Sequence, residues 1–187
     1  MYWIWATEAQ NETQARVHGR PAVVERLGLA FDRGLVLTQS IPEIKIKVSA
    51  EDHGTLTDSL IALGTTGLVF NGRVRKLLLQ NGVDNIDYFP ATVILESSGQ
   101  FIADYMIANI VGRISCVSPE SELQLDDNGA IEFIDRLVLD VGKPQGILMF
   151  RLAEYLQIVV VHDRVKKAAE AAQITGVNFY RPEDYTL

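Results

Sequence analysis

The sequence predicts an α+β fold, a mainly antiparallel sheet with two or three short helices packed on it. Three observations carry that prediction. Short apolar runs that read as strands outnumber helical stretches. The last of them, Ile158 to Pro182, has an apolar run (Ile158 to Val161), a helix with Val165, Ala168, Ala169 and Ala172 on one side, and an aromatic strand (Val177 to Tyr180). The same strand, helix and strand pattern occurs earlier at a constant offset of 91 residues, without a gap between Val69 and Pro90. Val69, Arg73, Val74 and Lys76 correspond by identity to Val160, Arg164, Val165 and Lys167, and Ile86, Tyr88 and Phe89 correspond by type to Val177, Phe179 and Tyr180. The chain therefore reads either as two related halves or as two units that share a common local pattern.

Each element follows from local chemistry. Trp3 and Trp5 beside Tyr2 and Ile4 predict a first strand with large side chains on both faces. Thr7 to Gly19 is polar and reads as a loop. Between residues 22 and 48 the apolar pieces Val23 to Leu29, Leu35 to Leu37 and Ile41 to Val48 are cut by Gly28, Gly34 and Pro42, which predicts strands and turns. Ile44, Ile46 and Val48 alternate with Lys45 and Lys47, the pattern of a strand with one wet face.

Thr57 to Leu63 reads as a short helix, and Gly64 and Gly67 as a turn before the first repeated unit. The helix of that unit carries Val74, Leu77 and Leu78 and ends near Gly82. Asp87 to Leu95 reads as a strand whose Pro90 requires an edge or a bulge. Phe101 to Ile114 reads as a strand, with Ile102, Met106 and Ile110 at a spacing that also suits a helix. Pro119 to Gly129 is a polar loop in which Asp126 to Gly129 signal a turn, Ile131 to Asp140 a strand with Phe133, Leu137 and Leu139 on one face, and Ile147 to Leu152 another strand. In the closing unit Asp163 suits the positive end of the helix, and Gly176 the left-handed turn that ends it. Residues 1–67 form an N-terminal β-rich segment and residues 68–187 a second region, packed together as one unit.

At 187 residues the chain can bury about 70% of its unfolded surface, so its core needs no staple. Its one cysteine, Cys116, excludes an internal disulfide, fits a reducing compartment and reads as a small core residue. His18, His53 and His162 are scattered, with no motif to activate it. Glu51, Asp52 and His53 are adjacent, but neighbours on an extended chain point apart, and the Asp126 to Gly129 turn lacks the closing glutamate of a calcium loop. No metal, cofactor or catalytic residue is expected. The start of the chain has neither a basic n-region nor a long apolar run, and no stretch approaches a membrane span, so the expected location is the cytosol.

Net charge is −7, unevenly spread. Residues 84–140 hold eleven acids against Arg113 and Arg136, a net of −9 that leaves the rest of the chain at +2. Such a segment repels nucleic acid and suits a basic partner, or it is simply a solvated surface. No phosphate loop, nucleophile elbow, helical histidine pair or redox cysteine pair is present. A hydrolase built on carboxylates alone is the remaining enzymatic reading, with no residue pair placed for it.

Four stretches resemble a known family. They are FNGRVRKLLLQNGVDNIDYFPATVIL, FIADYMIANIVGRISCVSPES, IEFIDRLVLD and ILMFRLAEYLQIVVVHDRVKKAAEAAQITGVNFYRP. Together, over about residues 68–182, they are similar to a myxobacterial-type family of immunity proteins, formerly a domain of unknown function, found beside bacterial polymorphic and secreted toxins. Its most specific parts here are the DY-x-I-A-N-I strand, the S-P-E-S turn at Ser118 to Ser121, the I-x-R-L-V-L and M-F-R-L strands, and the closing R-V-K-K and I-T-G-V-N-F segments. A serine commonly opens the last helix of that family; here His162 and Asp163 stand there, and Asp163 can supply the same capping chemistry.

The resemblance implies a cytosolic inhibitor that binds a cognate toxin, without a catalytic motif to carry over. The acids expected to face a basic toxin surface are Glu120, Glu122, Asp126, Asp127 and Glu132. Tyr88 and Tyr105 are candidate anchors that read better as core residues. The alternative is a non-enzymatic regulatory module binding a small molecule between its two halves.

Overall fold

The computed structural model describes residues 1–186. The first strand, β1 (Tyr2–Ala6), buries Tyr2 and Ile4 on one side and Trp5 on the other, as its double-faced bulk predicts. Within the expected loop a two-residue strand, β2 (Arg16–Val17), forms. The first apolar piece of residues 22–48 is a short helix, α1 (Ala22–Arg26), where strands and turns are predicted. Pro21 presets its entry, Val24 drops into the core, and Gly28 (φ +58°) follows its end. Leu35 and Val36 form no strand and are exposed. The strand β3 (Ile44–Val48) alternates as predicted, with both lysines outward.

The predicted helix over Thr57 to Leu63 is replaced by a strand, β4 (Ser59–Ala62), and a single 3₁₀ turn at Leu63–Thr65. Long-range bonds override local preference here. Ser59 N–H donates to the Thr175 carbonyl at 3.0 Å, and Ser59 and Leu60 pair with Phe70 and Val69.

The first repeated unit runs through β5 (Leu68–Asn71), α2 (Gly72–Gln80) and β6 (Ile86–Leu95). Asn71 caps the helix by accepting from the N–H groups of Arg73 and Val74. Pro90 stands at the last position of β6 without a second neighbour, since β3 pairs only from Ala91 onward, and a bulge follows between Ala91 and Val93. The edge position that accommodates a proline is thus present, with the bulge just beyond it.

The long apolar run is a strand, β7 (Gln100–Ile110), and a short β8 (Arg113–Ile114) separated at Gly112 (φ +121°). A hairpin follows, β9 (Glu122–Leu125) and β10 (Ile131–Arg136), so pairing with β10 makes a strand within the predicted loop of Pro119 to Gly129. Its register shifts on either side of Phe133 and Ile134, so the predicted face is corrected: Ile134, Leu137 and Leu139 are buried, while Phe133 turns outward and is 47% exposed.

The closing elements are β11 (Met149–Leu152), β12 (Val159–His162), α3 (Asp163–Ala171) and β13 (Asn178–Tyr180). His162 caps α3, its Nδ1 accepting from Arg164 N–H at 3.2 Å. Asp163 does not take the capping role assigned to it. Its carboxylate accepts from Trp3 Nε1–H at 3.0 Å and pairs with Lys167 at 2.6 Å. Gln173 (φ +51°) makes the left-handed step after the helix, and Gly176 (φ +77°) makes a later turn so close to β4 that a Cβ would lie 2.0 Å from the Ser59 carbonyl oxygen.

The strands form two main sheets, β13-β1-β12-β11-β8 and β2-β4-β5-β7-β6-β3. Their pairings repeat. In one, β13, β1, β12 and β11 run antiparallel in turn and β8 joins parallel; in the other, β6, β7, β5 and β4 do the same and β2 joins parallel. Shifting β5 and α2 by 91 residues lands on β12 and α3 end for end. In each unit the two parallel strands are split by an antiparallel one, β7 in the first and the chain's own β1 in the second. Arg73 Nη2 donates to the Ala172 carbonyl beyond α3 at 2.8 Å, which ties one unit to the other.

The two units share one core. Trp5, Met149, Val159 and Val161 from one sheet meet Phe70, Ala108 and Ile110 from the other, with Val74, Leu78, Val165 and Ala169 of the helices between them. The outer faces are covered by what is inserted in each unit. In the six-stranded sheet α1 and Phe31 cover Val69, Val93 and Ile107, and in the five-stranded sheet the β9–β10 hairpin covers Ile4, Phe150 and Val160. The fold is α+β, with mostly antiparallel sheets and three short helices. No helix among the described residues is long and apolar enough to cross a membrane.

Candidate functional site

The β9–β10 hairpin is held from below and free above. On its inner side Leu123, Ile131 and Ile134, with Leu137 and Leu139 beyond, pack over the five-stranded sheet. The S-P-E-S turn clamps its base: Ser118 N–H donates to the Val138 carbonyl at 2.8 Å, and Ser121 Oγ accepts from Val138 N–H at 2.9 Å and donates back to its carbonyl at 3.0 Å. The tip closes through Asp126. Its carboxylate accepts the N–H groups of Ala130 (2.8 Å) and Asn128 (2.9 Å), and those bonds hold it below the usual carboxylate range. Gly129 (φ +79°) completes the turn.

Glu120, Glu122, Asp126, Asp127 and Glu132 are all exposed on this one hairpin and its base. The alternation of β9 puts Glu122 and Gln124 on the outer side, opposite Arg136 and Phe133. Gln124 Nε2 donates to Asp135 at 2.9 Å, placing a further acid there. Residues 118–136 hold six acids against Arg136 alone, a net of −5. The face is thus an exposed phenyl ring among carboxylates, with Leu125 also exposed near the tip. Phe133 escapes a reading by alternation because the bulges invert its side.

The tyrosines belong elsewhere. Tyr105 is buried and its hydroxyl donates to the Thr57 carbonyl at 2.8 Å; burial pushes it up to about 12. Tyr88 packs against the central core under Arg75, whose guanidinium lies 5.2 Å from the ring centroid. Cys116 is buried beneath the hairpin, and burial pushes its thiol up to about 11, which keeps it protonated at neutral pH. Asp52, from the Glu51 to His53 run, fixes backbone by accepting from Arg16 N–H at 2.9 Å and Gly54 N–H at 2.8 Å. No three His, Cys, Asp or Glu side chains among the described residues stand close enough together to hold a metal ion.

Two buried charges were not singled out by sequence reasoning. Asp58 binds both halves together, and Arg151 lies inside the fold. A lone arginine in the apolar run Met149 to Leu152 was the one available signal for the second.

No curated protein matches the chain. The sequence model described as "Immunity protein family (Imm11)" matches residues 5–184, and so takes in the first strands as well as the stretches that carry the resemblance.

Proposed function

Because the chain belongs to the Imm11 immunity protein family, we propose that it neutralises a cognate bacterial toxin by binding it in the cytosol of the cell that makes both. The observation that carries this reading beyond the family is the outer face of the β9–β10 hairpin, where Phe133 stands exposed among carboxylates. Glu120, Glu122, Asp127 and Glu132 would steer a basic toxin surface, while Asp126 sets the shape of the tip. Phe133, desolvated on docking, would slow release. Inhibition by occlusion needs no catalytic group in this chain.

Co-purification from cells of the native operon, with this chain tagged and its neighbours untagged, tests the role. A stoichiometric complex with one large neighbour is expected, and production of that neighbour alone should arrest growth that this chain restores. Recovery of the chain alone at low salt, from cells shown to make the neighbour, would refute it.

A further inference from the structure

A cavity of about 340 Å³ opens between the two sheets, within the range of small-molecule sites. Its walls include Leu60 and Leu68 of one sheet, Thr7 beyond β1, Asp32, and Arg151 of β11. Arg151 is only 2% exposed. Its Nη1 donates to the Leu156 carbonyl at 2.7 Å and its Nη2 to the Phe31 carbonyl at 3.3 Å, but its Nε–H has no partner among the described residues. Asp32, which lines the same cavity, has its Oδ1 buried without a hydrogen bond among the described residues, with Arg33 Nε paired to it at 3.8 Å.

A buried donor and a buried acceptor left unpaired each cost about 1–3 kcal/mol. Six buried side-chain atoms among the described residues have no hydrogen-bond partner, and two of them, of opposite kind, belong to residues that line this one cavity. Burial lowers Arg151 to about 10 against the opposing effect of Asp32, so the guanidinium keeps its charge at neutral pH. A free carboxylate entering would meet the charge of Asp32, and an ammonium that of Arg151. A neutral ligand with an acceptor beside a donor avoids both penalties.

We propose that this cavity is a binding site for a small neutral molecule with a cis-amide edge, its carbonyl accepting from Arg151 Nε–H and its N–H donating to Asp32 Oδ1. The ring or chain of the ligand lies against Leu60 and Leu68. The site is separate from the hairpin face and does not depend on it.

The test uses the ¹⁵N-labelled full chain and 2-pyrrolidinone, followed through the arginine Nε–H signals and the amides of residues 60–68. Saturable shifts of the Arg151 Nε–H signal and of those amides are expected. N-methyl-2-pyrrolidinone, which keeps the carbonyl but lacks the N–H, should bind at least about tenfold more weakly. Asp32→Ala, checked for folding by its amide spectrum, should lose the same preference. Equal binding of the N-methyl compound, tighter binding of acetate or methylammonium, or no shift with any probe would overturn the proposal.

Discussion

Replacing Asp58 by alanine is expected to lower stability by about 3 kcal/mol, the scale of breaking a buried, hydrogen-bonded charge cluster. The side chain of Asp58 is only 7% exposed. Its carboxylate accepts from Arg73 Nη1 (2.9 Å to each oxygen), Asn71 Nδ2 (2.8 Å), and both the N–H and Oγ1 of Thr175 (3.0 Å each). It therefore joins β4 and the start of α2 to the loop after α3, and alanine would leave donors of both halves unpaired. Asparagine keeps the shape but not the charge, and should lose less.

Burial raises the pKa of Asp58, but the bonds from Thr175 and Asn71 and the charge of Arg73 outweigh it and hold it below the ordinary value of 3.8. A lowered carboxylate stabilises the fold above its unfolded pKa and ceases to do so as pH falls through the folded one. The wild-type chain should thus lose stability below about pH 4 by an increment that Asp58→Ala lacks. Urea unfolding of both proteins as a function of pH measures this. A difference at neutral pH below about 1 kcal/mol would mean that solvent replaces the cluster.

The combined variant Glu122→Lys, Asp127→Lys and Glu132→Lys should slow capture of the toxin by about 10- to 100-fold at low salt. Each change moves the local charge by two units, taking residues 118–136 from −5 to +1. All three side chains are exposed, so stability should stay within about 0.5 kcal/mol. Asp126 is left intact because its carboxylate builds the hairpin tip. The dependence of the association rate on salt should flatten or reverse in sign, while Phe133→Ala should act mainly on dissociation. Unchanged association rates in stopped-flow mixing would remove the acidic face from the interface.

What was legible in the sequence was local. The two strand, helix and strand units show because periodicity and the arginine-valine pair recur at one offset, and β3 shows by alternation alone. β7 and β1 were legible as strands, but not their places between the parallel strands of each unit, which are set by pairing over long sequence separations. Thr57 to Leu63 was misread for the same reason: Thr175 and β5 fix it as a strand from outside. The acids of the candidate face were legible as a charge imbalance, but their common hairpin was not: Pro119 to Gly129 reads as a polar loop, and β9 forms within it by pairing with β10. Phe133 was not, because register shifts rather than alternation decide its side. Nor were Asp58 and Arg151, whose burial depends on contacts from the other half.

Hydrogen–deuterium exchange of the purified toxin complex, compared with the free chain, tests the central claim most directly. Binding through the hairpin predicts slower exchange across residues 120–136, with the far side of the six-stranded sheet, β3 included, unchanged. Protection confined to other surfaces, with the hairpin exchanging as fast as in the free chain, would contradict it.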